Sequence, residues 1–89
     1  MLSKNVTPQR RSNVDITAEI LRIAKSGSRK TRIVYGANLN FKLLNEYLRR
    51  LERAGLIRED NEEDGVIVTT DKGRKYLQHY EGFKHFGMT

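Results

Sequence analysis

Hydrophobic residues recur at intervals of three and four near the start of the chain, which is the spacing of one face of an α-helix. This pattern predicts a helix over about 14–25, preceded by Ser12 or Asn13 as its N-cap. A shorter helical segment is predicted over 31–35, where Gly36 closes it. The recurring apolar positions of the first helix are Ile16, Ile20, Ile23 and Ala24.

The clearest helical pattern lies in the middle of the chain, over 40–54. Asn38 suits the turn before it, Asn40 is a good N-cap, and Gly55 stands where a helix-ending glycine is expected. Three cations fall within about 40° of one another at 100° per residue, opposite the apolar stripe, so we expect a cationic outer face. The stripe is Phe41, Leu44, Leu48 and Leu51, and the cations are Lys42, Arg49 and Arg53.

Two β-rich runs follow at 56–59 and 66–69, and the turn-forming residues between them predict a hairpin. Thr70 then caps a fourth helix over about 71–85. Leu77 is the residue of this helix that we expect to point into the core. The apolar stripe beside it consists of Tyr76, Tyr80 and Phe83.

The order helix, short helix, helix, hairpin, helix is that of a winged helix-turn-helix, an α+β fold that is mostly α with a two-stranded β wing. In this plan the third helix enters the DNA major groove. We therefore predict one winged-helix domain over 13–89, preceded by a basic flexible arm over 1–12.

A more specific resemblance is carried by residues 26–57, which contain the segments TRIVYGANLN and LLNEYLRRLERAGLI. They resemble a family of small archaeal winged-helix DNA-binding proteins that includes predicted transcriptional regulators, chromatin-associated proteins of thermophiles and relatives carried by archaeal viruses. By this resemblance the first segment is the second helix with its turn, and the second is the recognition helix with the start of the wing. TTDKG, at 69–73, resembles the opening of the family's last helix.

The resemblance also implies which side chains contact DNA, and helix geometry adds Arg53 to them. Arg32 and Tyr35 of the short helix either hold a phosphate or form the rim of that helix. Arg10 and Arg11 either reach a minor groove, as some N-terminal arms do, or belong to a disordered segment. The implied recognition-helix contacts are Asn40, Lys42, Asn45, Glu46 and Arg49.

Charge is unevenly distributed along the chain, which has 17 Lys and Arg against 11 Asp and Glu and a net charge of +6. Setting aside five acids of the wing leaves 17 basic against six acidic side chains, so another side of the molecule should be strongly cationic. Such a wing should repel DNA rather than grip its phosphates. The alternative interpretation of the basic face of the 40–54 helix is that it has no partner and is only exposed to solvent. The five acids are Glu59, Asp60, Glu62, Glu63 and Asp64.

Other chemistries find little support in the sequence. The chain has no cysteine, no Gly-rich phosphate loop and no nucleophile beside a base, so we predict no enzymatic activity, no cofactor and no small-molecule ligand. Asp60, Glu62 and Asp64 begin a calcium-loop pattern, but predicted strands flank it where helices are required. His79 and His85 are predicted on different helix faces, so we expect no metal site. No apolar run is long enough for a membrane span, and we expect a cytoplasmic, nucleoid-associated protein.

The aromatic residues near the C-terminus predict a homodimer, because so small a domain has little core left to receive them. The alternative is that this stripe covers the first helix. As a function we predict a dimeric transcriptional regulator that binds double-stranded DNA. An architectural chromatin protein, a protein-interaction module that uses the acidic wing and last helix, and an RNA-binding protein are the alternatives. The predicted dimer contacts are Tyr76, Tyr80, Phe83 and Phe86.

Overall fold

A computed structural model describes the backbone of residues 11–87 and the side chains of residues 11–82. The elements appear in the predicted order, with one additional short strand. They are α1 (Asn13–Ile23), β1 (Ser28–Arg29), α2 (Lys30–Ala37), α3 (Phe41–Arg53), β2 (Ile57–Glu59), β3 (Val66–Thr69) and α4 (Asp71–Gly87). The predicted winged helix is confirmed. Within the described part of the chain, no helix is long and apolar enough to cross a bilayer.

Side-chain caps define where three of the helices begin. Ser12 Oγ accepts the N–H of Asp15 at 3.1 Å, and an Asp15 carboxylate oxygen accepts the N–H of Ser12 at 3.3 Å, which is a complete capping box at α1. Asn40 Oδ1 accepts the N–H of Leu43 at 2.7 Å and starts α3. Thr70 Oγ1 accepts the N–H of Gly73 at 3.0 Å and starts α4, so the predicted caps are confirmed.

The sheet has three strands in the order β1-β3-β2, all antiparallel. The predicted hairpin is formed by β2 and β3, which with the connection over 60–65 make up the wing. The sequence did not predict β1, because two residues are too short to show the alternation of a strand. Pairing of Arg29 with Val66 places this strand beside the outer end of the hairpin.

Gly36 does not close α2, as the sequence predicted, but lies inside it. A Cβ at this position would lie 2.7 Å from Ile23 Cδ1, so the absence of a side chain lets α2 approach α1 closely. The helix ends instead at Asn38, whose φ of 57° places it in the left-handed region that stops a helix. The predicted role of Asn38 as a turn residue is confirmed.

The core lies between the helices and the inner face of the sheet, and its most completely buried large side chains come from α1, α2 and α3. α4 contributes Leu77, which is 2% exposed, as predicted. Thr69 ties the sheet to α1 through a buried hydrogen bond of 2.8 Å from its hydroxyl to the carbonyl of Leu21. Phe41 was expected in the core but is 49% exposed. The completely buried large side chains are Ile20, Leu21, Ile33 and Leu44.

Candidate nucleic-acid interface

The outer face of α3 is the side opposite its buried stripe, and it carries the exposed cations Lys42, Arg49 and Arg53. This confirms the exposure predicted from the 100° spacing. Among the described residues, no carboxylate lies within ion-pair distance of any of these three cations. Their charges are therefore not compensated within the described part of the molecule, and they are available to an anionic partner.

The inner side of α3 holds that face in a fixed orientation. Tyr47 is 4% exposed, and its hydroxyl donates a 2.6 Å hydrogen bond to Asn13 Oδ1 at the start of α1. The guanidinium of Arg50 lies 5.1 Å from the centre of the Tyr47 ring, a cation–π distance. Arg50 thus packs on the helix itself, on a different side from the outer cations.

The polar residues predicted for recognition differ in their burial and in the hydrogen bonds that they already form. Asn45 and Glu46 are half-buried on α3, one on each side of the line of cations. The Asn40 side chain uses its oxygen to cap the helix, which leaves its amide N–H₂ as a donor for a partner. The structure therefore brings the predicted recognition residues onto one helix and one of its ends.

The two predicted residues of α2 are both exposed. Arg32 lies in the first turn, and Tyr35 in the last turn is 78% exposed and contributes little to the core. The first turn also carries Lys30 and follows Arg29, whose side chain has no oxygen to cap the helix N–H groups. This end of α2 is therefore cationic and has no side-chain cap.

Arg11 is engaged at the turn before α3. Its guanidinium donates to the carbonyl of Ala37 at 2.7 Å and to that of Asn38 at 3.3 Å, at the C-terminal end of α2. This contact joins residues 26 and 27 positions apart, so no local pattern in the sequence indicates it. Arg10 lies outside the described residues, and its contact with DNA stays a prediction.

The wing tip, residues 59–65, uses two of its carboxylates to build its own turn. Asp60 accepts the N–H groups of Glu62 and Glu63 at 3.1 and 2.9 Å. Glu59 accepts the N–H of Gly65 at 2.9 Å, where a φ of 82° favours glycine. Among the described residues, no three His, Cys, Asp or Glu side chains come together as a metal site.

Arg29, on β1, contacts the wing tip in a way that the sequence did not reveal. Its guanidinium forms a 3.0 Å ion pair with the Glu63 carboxylate and donates a 3.1 Å hydrogen bond to the carbonyl of Asp64. The pairing of β1 with β3 places it there, and its partners are 34 and 35 residues away. The negative charge of Glu63, one of the five acids of the wing, is therefore balanced by an ion pair.

The aromatic residues of α4 are partly engaged within the protomer. Tyr76 and Tyr80 are half-buried and pack against the core. The Tyr80 hydroxyl donates a 2.5 Å hydrogen bond to Asp15 on α1. For Tyr80, this is the contact with the first helix that the sequence left as the alternative to dimerisation. The side chains of Phe83 and Phe86 lie outside the described residues.

Comparison with known proteins agrees with the architecture. The profile of a family described as winged helix-turn-helix matches residues 10–87, which is most of the chain. The chain belongs to the winged helix-turn-helix family. The four helices and the three-stranded antiparallel sheet described above are consistent with this fold.

The chain is similar to two archaeal proteins. The chain is 36% identical over 77 residues to the uncharacterized protein MJ0287 of Methanocaldococcus jannaschii, covering 84% of this chain and 76% of that protein. The crystal structure of Sso10a-2, a DNA-binding protein from Sulfolobus solfataricus, superposes with a TM-score of 0.74 at 29% identity. That match covers 85% of this chain and 81% of the Sulfolobus chain. The resemblance to an archaeal winged-helix family is confirmed.

Proposed function

We propose that this protein binds double-stranded DNA by placing α3 in the major groove, and that it acts as a homodimeric transcriptional regulator. The observation that carries the proposal is the outer face of α3, where Lys42, Arg49 and Arg53 are exposed without a described ion-pair partner. In a helix-turn-helix this helix is the one that enters the groove. Likeness to a DNA-binding protein of the same fold supports the same function.

The side chains divide between holding the DNA backbone and reading bases. The ammonium group of Lys42 and the guanidinium group of Arg53 can bind phosphates of the DNA backbone. Arg32 and the Tyr35 hydroxyl of α2 can provide further phosphate contacts. Arg49 has the geometry to bind the O6 and N7 atoms of guanine in a bidentate manner. The side-chain amide of Asn45 can form two hydrogen bonds with the N6 and N7 atoms of adenine.

The remaining recognition residues also have chemically suitable targets. Glu46 is an acceptor for the N4 amino group of cytosine. The free amide N–H₂ of Asn40, at the start of α3, can donate to a phosphate or a base edge. A helix with this many base-directed groups favours sequence-specific binding, and therefore a regulator over an architectural protein.

The proposed binding is tested by fluorescence anisotropy with duplex DNA, single-stranded DNA and structured RNA over a range of salt concentrations. Three to five phosphate contacts per protomer should give a slope of about −0.9 per contact when log affinity for the duplex is plotted against log salt. The duplex should bind more tightly than the other two. A slope near zero, or preference for RNA, would contradict the proposal.

The regulatory role is tested by selecting binders from a pool of random duplexes. A regulator should enrich one motif, because each mismatched base pair typically costs about 1–3 kcal/mol of binding. Repeated selection without enrichment would instead indicate an architectural protein. The motif should be palindromic or periodic, since a two-fold dimer sets its recognition helices about 34 Å apart.

The proposed dimer uses α4, with Tyr76, Phe83 and Phe86 as contacts, whereas Tyr80 already bonds to α1. Sedimentation equilibrium at micromolar concentration should give about twice the 10.3 kDa mass of the chain. Tyr76→Glu combined with Phe83→Glu should give a monomer and weaken DNA binding.

Tyr80→Phe is the matched control for the dimer experiment, because it removes the bond to Asp15 but keeps the ring. It should lower stability by about 1 kcal/mol and leave the mass unchanged. Wild-type protein that stays monomeric at high concentration, with and without DNA, would contradict the dimer.

A further inference from the structure

Phe41 is a large apolar side chain that the fold leaves half in water. It is the first residue of α3 and is 49% exposed, while the apolar residues one and two turns further along the same stripe are buried. Within the described residues, only Val14 and Tyr35 are comparably exposed among large hydrophobic side chains. The fold therefore covers only about half of the Phe41 side chain.

Phe41 lies at the edge of the apolar stripe, where the stripe meets the outer face of α3. At 100° per residue it lies about 40° from Asn45 and about 80° from Arg49 around the helix axis. Its chain neighbours Asn40 and Lys42 are both exposed. The N-terminal residues of a recognition helix are those that contact base edges, so Phe41 lies where a base would be met.

We propose that Phe41 contacts the C5 methyl group of thymine in the major groove and so gives this protein a preference for methyl-bearing base pairs. This inference rests on the proposed function, since it requires α3 to enter the groove. The methyl group is an apolar feature of an otherwise polar groove, and Phe is among the side chains that suit it. The adjacent cations complement the phosphates on either side and hold the ring against the base edge.

The same contact predicts recognition of 5-methylcytosine, which carries a methyl group at the same ring position. Burying one methyl group corresponds to about a three- to fivefold change in affinity per contact. The preference should thus appear in two unrelated base pairs that share only this group. A preference for 5-methylcytosine cannot arise from the stiffness of A·T sequences, so the two base pairs together distinguish the methyl contact from that effect.

The test uses four alternating duplexes of equal length: A·T, A·U, G·C and G·5-methylcytosine. Affinity is measured by fluorescence anisotropy for the wild type, Phe41→Ala and Phe41→Leu. Wild type should bind the methyl-bearing member of each pair at least three- to fivefold more tightly. Phe41→Ala should bind both members of each pair equally, and Phe41→Leu should keep part of the preference.

Val14→Ala is the control, because Val14 on α1 is as exposed as Phe41 but is not a predicted DNA contact, so this variant should leave both affinity ratios unchanged. Thermal melting establishes that each variant is folded, and the Leu variant keeps an apolar side chain at the start of α3. Comparing ratios between variants removes differences in shape among the duplexes themselves.

Two results would overturn the inference. Wild type could bind both members of each pair equally, or Phe41→Ala could keep the preference, for example by weakening binding to all four duplexes by the same factor. Each of these leaves duplex binding intact and removes only the methyl contact. Failure to bind any duplex would instead contradict the proposed function.

Discussion

The outer face of α3 and the tip of the wing are both exposed and strongly charged, but they differ in what their charges contact. Three wing carboxylates accept hydrogen bonds from their own turn or pair with Arg29. The α3 cations have no described ion-pair partner. Exposure and charge alone therefore do not identify a binding surface. The informative property is whether the charged groups are already engaged within the molecule.

This difference has an energetic consequence for a polyanionic partner. Cations without ion-pair partners gain from neutralising phosphates and releasing counterions, and they break no internal contact in doing so. The wing carboxylates should repel phosphates, and internal bonds hold three of them at fixed positions. If the proposed function is right, DNA should therefore approach α3 and avoid the wing tip.

The largest expected effect separates the two sides of α3. Leu48 is 7% exposed, so Leu48→Ala should lower the free energy of unfolding by about 2–5 kcal/mol. Its neighbour Arg49 is exposed, and Arg49→Ala should change stability by no more than about 0.5 kcal/mol. Urea denaturation measures both. Equal losses of stability would mean that the outer face contributes to the fold rather than to binding.

The next effect concerns binding through the outer face. Lys42→Ala and Arg49→Ala should each weaken duplex binding by about 1 kcal/mol or more while the protein stays folded. Lys25→Ala is a matched control, since it removes the same single positive charge from an exposed residue that is not a predicted contact. Anisotropy titrations give the affinities. Unchanged affinity in both cation variants would place the binding surface elsewhere.

The smallest effect concerns the wing. Glu62 and Asp64 have carboxylates without a described bond, so Glu62→Gln with Asp64→Asn should remove repulsion and leave the turn intact. Nonspecific duplex binding should tighten about two- to threefold at low salt, where screening is weak, and less at high salt. Weaker binding in this variant would mean that these carboxylates make a specific favourable contact.

Glu63→Gln sharpens the comparison because it removes the partner of Arg29. Exposed ion pairs contribute only about 0–1 kcal/mol, so the fold should be little affected. Arg29 would keep its hydrogen bond to the Asp64 carbonyl but lose its ion-pair partner, so its charge should add to the attraction for DNA. The duplex should then bind more tightly than it does to a variant changed at Glu62 alone. Identical affinities would show that Arg29 is too far from the DNA to matter.

The features that sequence could predict are those that depend on local patterns. The caps at Ser12, Asn40 and Thr70 follow from short side chains beside the N–H groups they bond, and the stripe of α3 follows from helical spacing. The prediction that Gly36 ends α2 is wrong because glycine both ends helices and permits close packing, and only the position of Ile23 distinguishes the two roles. The exposure of Phe41 was not predictable, because periodicity does not show where the packed surface ends.

The features that sequence could not predict depend on residues distant in the chain. Arg11 and Arg29 find partners 26 to 35 positions away, and these contacts appear only once α2 and the sheet are in place. Tyr80 similarly reaches Asp15 across 65 positions. The candidate interface was therefore predictable for the exposed cations of α3, but the internal use of charges in the wing was not.

The most direct test of the account is a titration of ¹⁵N-labelled protein with duplex DNA, followed by the chemical shifts of backbone amides and arginine side chains. The largest changes should lie on the outer face of α3, including the side chain of Arg49, and in the first turn of α2. The amides of the wing tip should change little. Large changes at the wing tip with an unaffected α3 would contradict the claim that DNA binds the unpaired cations.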